Sequence, residues 1–278
     1  MLSVPQSWRR ACGAFLFGIA PALMAAEPAD AALTKAWNAL IDNRPQEVMR
    51  DLGDRATGRQ TQLARGAAWM SLQPETDGNM RQAEKIFAAL ATGDDNVAAE
   101  ATYLQARLLQ IHYQQPDYAG AARIFTALAR RQPQSHWAQL GLVKLALLKL
   151  YVLPESTEPV ADRLAPAEAL LSQISEPALQ RDLQLQIGQA GVVLKQPPRR
   201  FIPHLVAADR IGGITGTARE DLVVQIGELS LRAGLLEQSK EYFERYLKEY
   251  PDNLRAYAVA RRLEETKRRL AAGKEAAK

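Results

Sequence analysis

The side chains best suited to hold a metal or move a proton near neutral pH are three histidines, His112, His136 and His204. No two stand three or four residues apart, so no helix can present the paired imidazole edge of a zinc site. Asp94 and Asp95 offer carboxylates in a Gly-Asp-Asp-Asn turn. The alternating acids, fixed glycine and closing glutamate of a calcium loop are missing there. The run Gly212-Gly213-Ile214-Thr215-Gly216 has the composition of a phosphate cradle. It lacks the Gly-Lys-Ser/Thr of a P-loop, and no strand-like run precedes it, as a dinucleotide fold requires. Carboxylate pairs such as Glu264-Glu265 sit among Lys and Arg, with no apolar surroundings to raise a pKa for acid–base work. No Gly-x-Ser-x-Gly elbow occurs, and Cys12 is the single thiol. These patterns point to no enzyme, no cofactor and no metal. The histidines read as core or surface polar groups, Asp94-Asp95 as a turn, and the glycine run as a connection.

What the chain does contain is helix. Of its 278 residues 47% are hydrophobic and only 6% aromatic, with Ala, Leu, Gln, Glu and Arg prominent. Alternating Val/Ile/Thr runs, the usual strand signal, are absent. The chain also repeats itself. Residues 82–91 read QAEKIFAALA and residues 120–129 read GAARIFTALA, six of ten positions being identical at an offset of 38. Ile187-Gly188 and Ile226-Gly227 recur at an offset of 39, and Ala167-Glu168-Ala169-Leu170-Leu171 is a weaker echo. Helical periods between about 34 and 45 residues mark stacked helix pairs.

The residues then resemble the tetratricopeptide repeat, whose pattern runs aromatic, Leu-Gly, Tyr, Ala, Phe, Pro across two helices. Residues 220–253 carry Ile226-Gly227, Phe243 and Pro251 at the matching places, with Val223, Ser230 and Ser239 where Trp, Tyr and Ala are usual. From Thr102 onward, Ala121, Phe125 and Pro133 match, whereas Leu109 stands for the glycine and His112 for the tyrosine. The spacing has a physical reason: a small residue such as Gly227 or Ala121 lets the partner helix approach, and Phe243 or Phe125 fills the space beside it. The resemblance implies an all-α fold, an α-solenoid of about six antiparallel helix pairs forming a superhelix. Periodicity and breakers place the pairs at 31–42/45–53, 60–72/79–92, 98–114/118–131, 136–151/159–175, 178–195/199–211 and 218–233/235–250. The run from Gly141 to Leu153 is the most apolar internal stretch and reads as a buried helix. A last helix over 253–271 reads as a cap, with Ala256, Val259, Leu263, Thr266 and Leu270 as one stripe and Glu264/Arg268 and Glu265/Arg269 as i,i+4 pairs beside it. A coiled-coil dimer is the rival reading of that stripe, and would need a longer seam.

Residues 1–26 read as an address. Arg9-Arg10 precede the uncharged run ACGAFLFGIAPALMAA, and small residues close it before Glu27-Pro28. That is the layout of a secretory signal peptide, with an uncleaved N-terminal anchor as the alternative. The implied organisation is a signal at 1–26, a repeat domain at 27–251, and a capping helix with a basic tail at 252–278. Removing the signal removes Cys12. Of the formal charge of +4, residues 1–26 hold +2 and residues 252–278 hold +4, so the body carries about −2. That distribution gives no basic stripe for nucleic acid. The mature chain is expected in the periplasm or outside the cell, not spanning a membrane.

In tetratricopeptide domains the inner face of the first helices takes the partner. Carried through Pro133, those positions are Tyr103, Ala106, Gln110 and Tyr113; through Pro251 they are Asp221, Val224, Glu228 and Leu231. The tyrosines offer amphipathic contact area, Gln110 can read a peptide backbone, and Asp221 and Glu228 favour a basic segment. The alternative is that both tyrosines pack on neighbouring helices. The chaperone-clamping subtype, which sets Lys and Asn one turn apart, is not met, since no Lys is followed by Asn four residues later. The expected function is a non-enzymatic scaffold in the cell envelope that binds a protein or peptide. A structural subunit of an envelope or outer-membrane assembly is the alternative, and a helical support for a cell-wall enzyme a distant one. N-terminal sequencing of the native protein is expected to start near Ala26 or Glu27. An intact Met1 in a soluble cytoplasmic fraction would overturn the export reading.

Overall fold

A computed structural model describes residues 28–53, 57–153 and 162–276. The expected signal segment at 1–26 lies outside them. Among the described residues the protein is all helical, with thirteen α-helices and no strand. The chain divides into two compact units, the first ending at Gly141 and the second beginning at Leu142.

The first unit holds α1 (Pro28–Ile41), α2 (Pro45–Leu52), α3 (Arg59–Ser71), α4 (Asp77–Leu90), α5 (Asn96–Arg107), α6 (Tyr118–Arg131) and the start of α7 (His136–Tyr151). Each of α1 to α5 packs on the next, and α1 on α3 and α3 on α5 touch as well, so consecutive pairs lie side by side. The helix starts are set by side chains: Thr76 caps α4, Asp95 caps α5 and Asp117 caps α6, each accepting from a backbone N–H three residues on. The Asp94-Asp95 turn is therefore a helix start. The Phe87 and Phe125 side chains are fully buried, as the repeated decapeptide implies. Gly66 faces Phe87 so closely that a Cβ on it would sit 2.5 Å from the ring.

Two expectations need correction. The helix expected through 98–114 is α only to Arg107; Leu108–His112 form a π turn, with the Tyr113 N–H donating to the Leu108 carbonyl at 3.2 Å. The turn inserts an extra residue. It falls where Leu109 replaces the glycine of the repeat pattern, and it rotates the positions beyond it out of register. The helix expected at 159–175 is, among the described residues, only α8 (Ala165–Glu168) followed by a 3₁₀ turn (Leu171–Gln173). Pro177 holds Glu176 in an extended conformation, which ends this short stretch. Leu164, Ala167, Leu170 and Ile174 are buried, so its apolar spacing is used without a long helix.

The second unit continues through α9 (Pro177–Val193), α10 (Pro198–Ile211), α11 (Gly216–Arg232), α12 (Leu236–Glu249) and α13 (Ala256–Ala276). Each packs on the next, and α11 also meets α13. Gly212 and Gly213 connect α10 to α11 with φ of 80° and 79°, a left-handed region that a glycine enters without strain. On α7 the apolar run is buried as expected, from Leu142 and Val143 through Leu150. The stripe on α13 is as expected: Val259, Leu263 and Thr266 are buried, with Ala256 and Leu270 half-buried. Of its two expected ion pairs, Glu265 meets Arg269 at 2.5 Å. Glu264 pairs with Lys267 at 3.0 Å, three residues away, in place of Arg268.

Gly227 and Phe243 set the contact between α11 and α12, since a Cβ on Gly227 would lie 2.6 Å from Phe243 Cε1. Gly227→Ala is therefore expected to destabilise by about 1–3 kcal/mol through overpacking. Phe243→Ala and Phe125→Ala are expected to cost about 3–5 kcal/mol each. Adding Phe243→Leu is expected to recover part of the Gly227→Ala loss. Urea melts of the single and double variants check this, and strictly additive losses would refute the direct contact.

Candidate functional site

The eight residues proposed from the repeat register separate into two groups. In the first unit three of the four are interior, a correction to the expected open groove. Tyr103 is 2% exposed, its ring 5.3 Å from that of Trp137 and 5.9 Å from that of Phe125. Ala106 is fully buried. Gln110 is buried too, accepting from Arg107 Nη1 at 2.6 Å. Tyr113, beyond the π turn, is half-buried and donates its hydroxyl to Glu84 of α4 at 2.5 Å. Packing of both tyrosines on neighbouring helices is thus the arrangement present, because α7 brings Trp137 over Tyr103 and the π turn swings Tyr113 onto α4.

In the second unit Asp221 is exposed, Val224 and Glu228 are half-buried, and Leu231 is interior, a further correction. The two acids are already neutralised from within the chain. Arg255, in the turn just before α13, pairs with Asp221, and Arg262 of α13 donates through Nε to Glu228 at 3.0 Å. Both bonds join residues 34 apart in sequence. On the same succession of helices Gln189 of α9 donates to Gln225 of α11 at 3.0 Å, across 36 residues. A basic segment approaching Asp221 or Glu228 would have to displace an intramolecular arginine.

Polar groups that sequence reasoning missed cluster in both units. Glu100 on α5 is half-buried, and burial pushes its carboxyl up to about 7. It lies in the run Val97-Ala98-Ala99-Glu100-Ala101, where the alanines are fully buried; a lone acid in a close-packed alanine run was the available signal. One heptad on, Arg107 is 5% exposed, with Gln110 as its side-chain partner. In the second unit Asp209 on α10 binds Arg245 of α12 through both oxygens, at 2.5 and 2.9 Å, and accepts from the Tyr242 hydroxyl at 3.1 Å. Burial works to raise the Asp209 carboxyl. The Arg245 guanidinium outweighs it, with Tyr242 and Arg219 adding, and holds it below the usual aspartate range.

Two of the three histidines sit beside polar partners, and His136 lies edge-on to the Trp137 ring. His112 Nδ1 lies 3.1 Å from Glu75 Oε1, and burial pushes its imidazole below the ordinary value. His204 stands between Gln184 at 2.6 Å and Glu168 at 2.9 Å. Among the described residues no three His, Cys, Asp or Glu side chains converge as a metal site would require. No described helix is long and apolar enough to cross a membrane.

No family model matches the chain, and no curated protein matches it.

Glu100 sets a pH dependence. Its folded-state pKa lies above its unfolded value, so between about pH 4.5 and 7 the folded chain keeps a proton that the unfolded chain has released. Stability therefore falls as pH rises through that window and is flat above it. Glu100→Gln is expected to raise stability by about 2 kcal/mol at pH 8 and to change little at pH 4.5. Chemical melts at both pH values check the sign; equal effects at the two would show that Glu100 is solvated.

Proposed function

We propose that the protein is a non-enzymatic protein-binding scaffold of the tetratricopeptide type, exported to the cell envelope. The observation that carries the reading is the 34-residue spacing of bonds between successive helix pairs. Arg255 to Asp221 and Arg262 to Glu228 both span it. Two bonds at one offset, with the Gln189–Gln225 bond close to it at 36, join one helix pair to the unit that follows, as stacking of repeats would. The Gly227–Phe243 seat, at positions that the repeat pattern gives to Gly and Phe, agrees with it. Stacked helix pairs expose long side surfaces that take protein segments.

The start of α13 favours the second reading, a structural subunit of an envelope assembly. Leu254 is wholly exposed and Tyr257 is 75% exposed, an apolar end surface beside the terminal helix.

Affinity capture from an envelope extract tests both. A scaffold is expected to enrich one or a few proteins over a tag-only control, with exchange on dilution. A structural subunit is expected to recover a stoichiometric complex that Leu254→Glu with Tyr257→Glu disrupts. Recovery of nothing above control would sink both readings.

A further inference from the structure

Every third or fourth residue on one face of α10 is exposed or half-buried: Arg199, Pro203, Val206 and Arg210, at i, i+4, i+7 and i+11. This stripe forms one wall of an open groove of about 680 Å³, and Leu235 and Leu236 at the start of α12 form the other. The two arginines stand about 16 Å apart along the helix, on the same face, bracketing an apolar floor. Among the described residues no carboxylate compensates their charges. Arg199 uses one nitrogen on the Ala233 carbonyl at 3.0 Å, and neither it nor Arg210 forms an ion pair among the described residues. Elsewhere in the unit Arg181, Arg200, Arg219, Arg245, Arg255 and Arg262 all meet carboxylates. The α12 rim has the opposite sign, since Glu237 is exposed there.

We infer that this groove docks an amphipathic helical segment of a partner protein. The segment carries apolar residues at three- and four-residue spacing and two acids about three turns apart on the flank that faces α10. The inference rests on the scaffold reading and names the surface and chemistry of its partner. An apolar floor takes the apolar stripe of a helix, as helix-in-groove recognition does. Arg199 and Arg210 give charge-assisted contacts to carboxylates at the two ends of that stripe. Glu237 repels an acid on the other flank, so the charges fix which way the helix is turned.

The test uses a fluorescent, amidated helical peptide of roughly 18 residues with Leu at those spacings and Glu eleven apart, against the same peptide with Lys for Glu. Anisotropy with the full chain is expected to give at least about tenfold tighter binding of the Glu peptide. Arg210→Glu, which touches no intramolecular partner, is expected to remove that preference with an unchanged melting temperature. Arg199→Glu with Arg210→Glu is expected to invert it in favour of the Lys peptide. Equal binding of the two peptides, no binding of either, or a preference that survives Arg210→Glu would overturn the groove. Self-association lost on Arg210→Glu would place a second copy there and overturn it likewise. Envelope partners that are still captured by Arg210→Glu would leave the scaffold reading standing while the groove falls.

Discussion

At four places among the described residues a glycine on one helix meets a bulky side chain on the next with no room for a Cβ, and the rest of the packing follows from these seats. Gly66 against Phe87, Gly188 against Leu205, Gly191 against Phe201 and Gly227 against Phe243 all leave no room for a Cβ. A helix that presents glycine lets its neighbour's ring reach the backbone, so the two axes close up and the side chains around the seat become core. Phe87, Phe125 and Phe243 are accordingly fully buried although aromatics make up only 6% of the chain. A chain this poor in aromatics gains its stability from many small buried residues, Ala83, Ala98, Ala99, Ala101, Ala106 and Ala121 among them, that require the short interhelical distance to be in contact at all.

Close axes bring polar groups together between one pair and the next, and those groups are paired. Asp209, Arg245, Tyr242, Arg219 and Glu249 link α10, α11 and α12 through a continuous set of bonds, while the buried Tyr246 hydroxyl donates to Glu220 at 2.9 Å. Burial and the neighbouring Asp209 charge push the Tyr242 hydroxyl well above its usual range, and hydrogen bonding to Asp209 and Glu249 does the same for Arg245. At neutral pH Asp209, Tyr242, Arg245 and Glu249 therefore hold the protonation states their partners need. Removing one member strands the rest in a poorly solvated place, which is why such networks favour one arrangement of helices over near alternatives. Glu100 differs from these groups, a half-buried acid whose pKa burial alone sets.

The parts that were legible in the sequence are those in which one local rule decides. The repeated decapeptide located α4 and α6 and their buried phenylalanines, proline and glycine runs located the connections, and the stripe on α13 was read with its buried positions in order. What was not legible depended on events between helices. Nothing local announced that Leu109 coincides with a π turn, so a register carried from Pro133 through that turn placed Gln110 and Tyr113 on the wrong surface. Tyr103 needed Trp137, from a different helix, to become core. The ion pairs of Asp221 and Glu228 with α13 and the turn before it were readable in principle. They lie 34 residues from Arg255 and Arg262, close to the spacing of one helix pair to the next.

That pairing changes where a partner can gain binding energy. A first-helix face whose acids already hold arginines offers an incoming segment only exchange: each new contact replaces one that exists, and the net gain is small. The α10 face is the reverse. Arg199 and Arg210 stand in solvent beside exposed Pro203 and half-buried Val206, so contacts made there replace water instead of protein. Asp209 faces the buried side, where Arg245 of α12 holds its carboxylate, while the adjacent Arg210 is exposed, so one helix carries a bonded polar face inside and an open basic face outside.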